Sequence, residues 1–236
     1  MTTSYHPLPS NVADLQRQAR LLQNGLLGFD GLLAMCWDHG IPVVPLPNLP
    51  VGVRKMDGAA LQIGDRPVIV LAKKKSSRAW LSFILAHEMG HIARGHLRPG
   101  SSIVDISLQE TAEYSAESSG DVEETEADTF ALETLGGQRV EREIANWPAD
   151  SAPVELAVKA RMAASTLKIE AGHFILRHAF NTKRWPEAVM ALRFLREDLN
   201  AEAALIGHLK QRIDLNLIAE DLQDLVAQVT DWNRAG

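Results

Sequence analysis

Two histidines separated by three residues, with a glutamate beside the first, are the clearest sign of chemistry in this sequence. The segment is His87-Glu88-Met89-Gly90-His91, an H-E-x-x-H pattern. On an α-helix the two histidines lie about 40° apart on one face, because each residue advances by about 100°. Two imidazole groups placed in this way can bind one Zn²⁺, and Glu88, at the edge of the same face, can reach a water molecule beside the metal.

The residues that precede this motif are apolar. Residues 79–86 contain only one polar side chain, and helical phase puts Trp80 and Ile84 on the same stripe as the histidines. A helix that is apolar on nearly every side is a buried one. Burying two histidines and a glutamate costs free energy unless something pairs with them. We therefore favour a metal site over the alternative, a surface helix with scattered polar residues.

Catalytic zinc sites commonly have three protein ligands, so a third ligand is needed. The metzincin pattern would require a glycine and a histidine where this chain has Arg94 and Leu97, which excludes that class. His96 is about 140° out of phase with His91. It also follows Gly95, which predicts the end of the helix. We therefore predict that His96 is a capping or surface residue.

A second predicted helix offers carboxylates instead. With Glu124 at phase zero, Asp128 falls on the same face. That face also carries apolar residues, namely Ala127, Ala131 and Leu135. Glu126 and Glu133 point to the opposite side, and Glu123 lies at the margin. The helix macrodipole explains acids at an exposed helix start, but it does not explain two acids on an apolar stripe. We predict Glu124 as the third ligand, with Glu123 or Glu126 as alternatives. Asp128 would accept the N–H of a ligand histidine.

The elements that would position these residues follow from the apolar patterning. Residues 11–27 and 29–39 predict two helices, and three prolines exclude a helix over residues 40–47. Residues 61–63 and 67–72, on either side of a Gly64-Asp65 turn, predict a β-hairpin.

The metal-binding helix and its partner have predicted boundaries. The Ser76-Ser77 pair offers an N-cap, and the first helix would run to about Arg94 and stop at Gly95. Residues 99–120 are rich in serine and acidic residues and predict a long, partly ordered loop, which would act either as a lid or as an acidic spacer. A helical pattern resumes at Val122 and stops at Gly136-Gly137.

The rest of the sequence predicts helices alone. They span residues 154–167, 172–180, 186–195 and 201–232. Residues 154–179 resemble a helix-turn-helix, but the second helix is mainly apolar and suits packing better than a DNA groove. Because the H-E-x-x-H motif is typical of metallopeptidases, we predict an α+β protein, with a metallopeptidase domain (residues 1–138) in which a small β-sheet packs on helices. An all-helical C-terminal region would follow (residues 139–236).

Composition limits the classes of partner. The chain has 236 residues, 46% hydrophobic and 23% charged, with a net charge of −6. These values describe an ordinary globular protein and do not favour nucleic acid as a direct partner. The single cysteine, Cys36, lies among apolar residues and is expected to be a buried thiol. Because no apolar run suits a bilayer and the N-terminus lacks the features of a signal peptide, we expect a cytoplasmic protein without membrane contact.

Two segments in order resemble one known family. Residues 83–91 and 124–131 resemble the "TLAHELGH"-like helix and the "E-x-E-A-(N/D)-x-F-A" helix of the ImmA/IrrE-type zinc metallopeptidases. Residues 56–60 and 68–70 are similar to that family's substrate-side strands, so the resemblance covers roughly residues 29–135. The chain departs from the family at residues 82–84 and in its longer gap between the two motifs.

The resemblance implies a function and a set of roles. The metal ligands would be His87, His91 and Glu124, with Glu88 as general base, in a gluzincin-like zinc endopeptidase. The family cleaves repressor-type transcription regulators in stress, phage or mobile-element control, which implies a DNA-binding protein as substrate. Separately from the resemblance, we expect the substrate to pair with the edge of the strand near residues 68–71. The sequence does not identify the residue that stabilises the oxyanion; Tyr114 and His96 are weak candidates. The alternative is a non-proteolytic, metal-containing module that acts by binding a partner protein.

Overall fold

The described residues of the N-terminal part form three helices and a small sheet. This computed structural model describes residues 3–48, 56–72, 77–98, 102–105 and 122–233. The helices are α1 (Val12–Leu22), α2 (Phe29–Asp38) and α3 (Arg78–Arg94), and the strands are β1 (Val43–Pro45), β2 (Gly58–Ile63), β3 (Arg66–Leu71) and β4 (Ser102–Asp105). Both predicted N-terminal helices are present. However, α1 ends at Leu22, five residues before the predicted end at residue 27, and the turn that follows contains Asn24 and Gly25 with positive φ.

The four strands form one mixed sheet in the order β1-β3-β2-β4. β1 pairs with β3 in parallel, while β2 pairs with both β3 and β4 in antiparallel. The predicted hairpin is confirmed, with Ile63 opposite Arg66 across the Gly64 turn. Two expectations were wrong. Ser102–Asp105 is a strand inside the segment predicted as a loop, and β3 lies between two strands. The edge expected near residues 68–71 is therefore already paired.

Helix α3 has the boundaries that the sequence predicted. Ser77 is the N-cap and its side chain accepts a hydrogen bond from the Trp80 N–H; Ser76 lies outside the described residues. The helix ends at Arg94, and Gly95 follows in the left-handed conformation with φ of +76°. Every residue from Ala79 to Ile92 is buried except Phe83. The prediction of a buried helix is therefore confirmed.

From Val122 onward, the regular elements among the described residues are all helices. The helices are α4 (Val122–Thr134), α5 (Gly137–Ile144), α6 (Pro153–Leu167), α7 (Ala171–Thr182), α8 (Trp185–Phe194), α9 (Ala201–Arg212) and α10 (Glu220–Val229), with 3₁₀ turns at Arg196–Asp198 and Leu215–Leu217. The α+β class is thereby confirmed. The stretch predicted as a single unit, residues 201–232, is two helices separated by a turn. Helix α5 was not predicted, because it begins at the Gly136-Gly137 pair, with Gly136 as N-cap and Gly137 as the first helical residue, and glycine disfavours helix.

The C-terminal helices hold the N-terminal end of α3. The Asp198 carboxylate accepts the Ala79 N–H at 2.9 Å and also the Ser77 hydroxyl. Trp80 of α3 stacks on Trp185 of α8, with ring centroids 5.7 Å apart. One hydrophobic cluster includes residues from both predicted regions, from Leu8 to Leu205. The division at residue 138 remains a prediction. The loop at residues 99–120 lies outside the described residues apart from β4.

Two smaller expectations concern Cys36 and the membrane. Cys36 is fully buried, as predicted, and burial raises the pKa of its thiol. Across the described ranges, no helix has the length and hydropathy that crossing a bilayer requires.

Candidate metal centre

The side chains of His87, His91 and Glu124 converge on one point between α3 and α4. The Nε2 atoms of the two histidines are 3.0 Å apart. Glu124 places Oε2 3.3 Å from His87 Nε2 and Oε1 3.5 Å from His91 Nε2. One donor atom from each residue lies within 4.8 Å of the other two, a spacing that could hold a metal ion.

The chemistry of these donors suits a divalent cation. His87 and His91 are buried, and the Glu124 side chain is one-third exposed. A hydrogen bond with His87 lowers the pKa of Glu124, and the charges of the neighbouring histidines act in the same direction against the effect of burial. Glu124 is therefore a carboxylate near neutral pH. Two imidazoles and one carboxylate leave a fourth position open in a tetrahedral site, and they suit zinc as well as other first-row metals.

Gly90, between Glu88 and His91 on α3, allows the two helices to approach closely. A Cβ at Gly90 would lie 3.0 Å from Ala127 Cα and 3.1 Å from the Ala127 carbonyl oxygen. Ala127 is itself buried and is the residue one turn after Glu124. The small residues Gly90 and Ala127 thus set the distance between the histidines on α3 and the Glu124 carboxylate on α4. A glycine inside a helical pattern is the signal that could have indicated this contact.

Asp128 lies beside His87, the histidine that it was expected to orient. His87 Nδ1 is 2.9 Å from Asp128 Oδ1, so that the ring can donate one N–H to the carboxylate while Nε2 faces the donor cluster. The helical phase of Asp128 relative to Glu124 predicted this side of α4. A carboxylate on the far nitrogen fixes the tautomer and the orientation of a ligand histidine.

Glu88 is fully buried against the sheet. A Cβ at Gly58 of β2 would overlap Glu88 Oε1 and would lie 2.7 Å from Ile84 Cγ2. Glycine at position 58 therefore provides the space that the Glu88 carboxylate occupies. The sequence placed residue 58 only in a segment similar to substrate-side strands and gave no reason for a glycine there.

The prediction that His96 is a capping or surface residue is confirmed for the cap, because its N–H takes part in the C-terminal cap of α3, but its side chain does not lie at the surface. Its side chain is 7% exposed, and His96 Nδ1 lies 3.0 Å from His91 Nδ1. The phase calculation assumed a continuing helix, but Gly95 reverses the chain. Gly95 donates its N–H to the Ile92 carbonyl and His96 donates its N–H to the His91 carbonyl, which together form a Schellman motif. This turn carries His96 back over the last helical turn.

Neither of the alternative ligands, Glu123 and Glu126, belongs to the donor cluster. Glu126 projects away from the donor cluster, and its Oε2 is 3.0 Å from His96 Nε2. Glu123, partly buried at the start of α4, does not belong to the group of donor atoms described above. Tyr114 lies outside the described residues. The geometry therefore favours Glu124 among the acids of α4.

No family model, curated protein or solved structure matches this chain significantly. The likeness to the ImmA/IrrE-type metallopeptidases therefore depends on the two motifs and their order.

Proposed function

We propose that this protein is a zinc-dependent endopeptidase of the gluzincin-like, ImmA/IrrE type. One observation carries the proposal: His87, His91 and Glu124 converge on one point, and Glu88 lies on the same buried helix as the two histidines. Peptide hydrolysis at such a site requires a general base, and the H-E-x-x-H pattern assigns that role to Glu88, the residue next to His87.

The proposed mechanism assigns a task to each side chain. His87, His91 and Glu124 would hold the metal, and Asp128 would keep His87 in the tautomer that leaves Nε2 free to bind. Bound zinc supplies Lewis acidity, which polarises a carbonyl group and makes water more acidic. Glu88 would accept a proton from the attacking water while the water oxygen bonds to the carbonyl carbon of the substrate. Glu88 would then donate that proton to the amine as the C–N bond breaks.

The sheet suggests where an extended substrate would lie. Among the described strands, β4 lies at one edge of the sheet, and Asp105 of β4 pairs with Gly58, the residue packed against Glu88. A peptide that adds to an exposed edge is held by main-chain hydrogen bonds. We therefore propose that the substrate strand pairs with β4, in place of the edge first expected near residues 68–71.

The substrate class rests on the resemblance alone. It would be a specific protein, a repressor-type DNA-binding regulator, cleaved in the cytoplasm during stress, phage or mobile-element control. A non-proteolytic, partner-binding role is favoured by one observation, the exposure of Leu222 and Leu225 on α10. The two functions differ in their need for Glu88.

The test is the substitution Glu88→Gln. Glutamine has nearly the same shape but cannot accept the proton, so cleavage should slow by roughly 10²–10⁴-fold with zinc content unchanged. The substrates would be DNA-binding regulators encoded beside this chain. Glu133→Gln, an exposed change on α4, serves as the matched control. If the wild-type protein binds zinc but cleaves none of these regulators, the partner-binding alternative is supported.

A further inference from the structure

The two histidines of the proposed metal site have different partners on their outer nitrogens. His87 Nδ1 lies 2.9 Å from a carboxylate oxygen of Asp128. His91 Nδ1 lies 3.0 Å from a second imidazole, Nδ1 of His96. The outer nitrogen of His96, Nε2, is in turn 3.0 Å from the Glu126 carboxylate. His91 is therefore connected to a carboxylate through one intervening ring.

Chemistry fixes the direction of these hydrogen bonds. A histidine that binds metal through Nε2 carries its proton on Nδ1, so His91 must donate. His96 Nδ1 must then accept, which places the proton of a neutral His96 on Nε2. That N–H is directed at Glu126, and a carboxylate can only accept. In the series of hydrogen bonds from His91 through His96 to Glu126, each donor thus faces an acceptor.

Local features at the end of α3 and on α4 together produce this series of hydrogen bonds. On α3, the left-handed Gly95 reverses the backbone, and the His96 N–H bonds to the carbonyl of the same His91 that its ring contacts. On α4, Glu126 follows Glu124 by two residues and so points to a different side of the helix. His96 is nearly buried while Glu126 is half-exposed, with side-chain exposures of 7% and 52%.

We propose that His96 and Glu126 are positioning residues, which orient His91 and fix its tautomer for metal binding. This inference rests on the proposed metal site. His96 and Glu126 would act on His91 as Asp128 acts on His87. Acceptors behind ligand histidines increase ligand basicity, and their removal commonly lowers metal affinity by about 10–100-fold.

The experiment measures zinc affinity by competition with a chromophoric chelator. His96→Ala should weaken zinc binding by about 10–100-fold. His96→Asn retains an oxygen acceptor near the position of Nδ1 and should recover part of that loss. Glu126→Gln retains an acceptor but removes the charge, and should give a smaller loss. Glu133→Gln removes the same charge about two turns further along α4, away from His96, and should leave the affinity unchanged.

A spectroscopic measurement separates positioning from general structural damage. Long-range ¹H–¹⁵N correlation spectra of the zinc-loaded wild-type protein should show His91 protonated on Nδ1 and His96 protonated on Nε2. A His96 protonated on Nδ1, or variants at positions 96 and 126 that bind zinc like Glu133→Gln, would overturn the inference while the zinc site itself stands. A wild-type protein that binds no zinc would overturn both proposals.

Discussion

Gly90 on α3 faces the backbone of Ala127 on α4, and no side chain separates the two helices at this point. A Cβ at Gly90 would lie 3.0 Å from Ala127 Cα, closer than ordinary packing allows. Because Glu124 lies one turn before Ala127, the separation of the helices at Gly90 also sets the distance from the carboxylate to the histidines. A methyl group at position 90 would therefore change the distance between the carboxylate and the histidines.

The first prediction is that Gly90→Ala impairs metal binding more than folding. The added methyl would move α4 by a few tenths of an ångström, which a zinc site with ligand distances near 2.0–2.2 Å tolerates poorly. We expect zinc affinity to fall at least about tenfold, by analogy with other changes to the surroundings of metal ligands. Gly207→Ala is the control, since a Cβ there meets no atom within 4 Å. It should stabilise α9 by up to about 1 kcal/mol. Equal zinc affinity in both variants would refute the prediction.

The second prediction concerns Gly58 and Glu88. In Gly58→Ala the new Cβ overlaps Glu88 Oε1, so the carboxylate must move. The catalytic rate should fall while zinc content stays at the wild-type level, because Gly58 packs against the proposed base and not against the proposed ligands. The measurements are kcat on a protein substrate and metal content of the same sample. An undiminished kcat would mean that the position of Glu88 is not critical for the reaction.

The third prediction is a pH dependence of stability caused by His173. This ring is buried in α7, and neither of its nitrogens has a hydrogen-bond partner among the described residues. Burial, with the nearby charge of Arg177, lowers the pKa of His173 to about 3 from its ordinary value of 6.5. Between these values the unfolded chain binds a proton that the folded chain does not. Stability from this residue is therefore present above pH 6.5 and is lost as the pH falls towards 3.

His173→Leu should remove this contribution. When the pH is lowered from 8 to 5, the free energy of unfolding should decrease by about 2 kcal/mol less in the variant than in the wild-type protein. Urea unfolding of both proteins at the two pH values measures the difference, and comparison at each pH cancels contributions from all other groups. Parallel pH profiles would show that His173 titrates normally in the folded protein.

The fourth prediction assigns substrate selection to the helical C-terminal region. Leu222 and Leu225 are 46% and 54% exposed on α10, where no residue is buried. Replacing both with serine should raise KM for a protein substrate and leave kcat and zinc content unchanged. Leu21→Ser on α1, where the side chain is 78% exposed, is the control. If KM and kcat are both unchanged, the C-terminal helices have only a structural role, and residues 99–120 would select the substrate.

Helical periodicity predicted the parts of the site that lie within single helices. The boundaries of α3 depend on local signals, a serine N-cap and a glycine that ends the helix, and both are present. The shared face of Glu124 and Asp128 also follows from local geometry, because 3.6 residues per turn hold throughout α4. The two residues accordingly lie beside the histidines.

Features that depend on the path of the chain were not predictable in this way. His96 follows the end of α3, where helical phase no longer applies and the turn at Gly95 decides the direction. The strand at Ser102–Asp105 is stabilised by pairing with β2, a contact between distant parts of the sequence. That same pairing order buries β3 within the sheet, contrary to the expected free edge. The packing at Gly58 and Gly90 likewise exists only after the elements assemble.

The most direct test of the central claim is anomalous X-ray diffraction from crystals of the zinc-treated protein, measured above and below the zinc absorption edge. The account predicts one zinc peak per chain, at about 2.0–2.2 Å from His87 Nε2, His91 Nε2 and a carboxylate oxygen of Glu124. Glu124→Gln should remove or greatly weaken this peak, and Glu133→Gln should not. A zinc peak bound by His96 or Glu126, or the absence of any peak between α3 and α4, would contradict it.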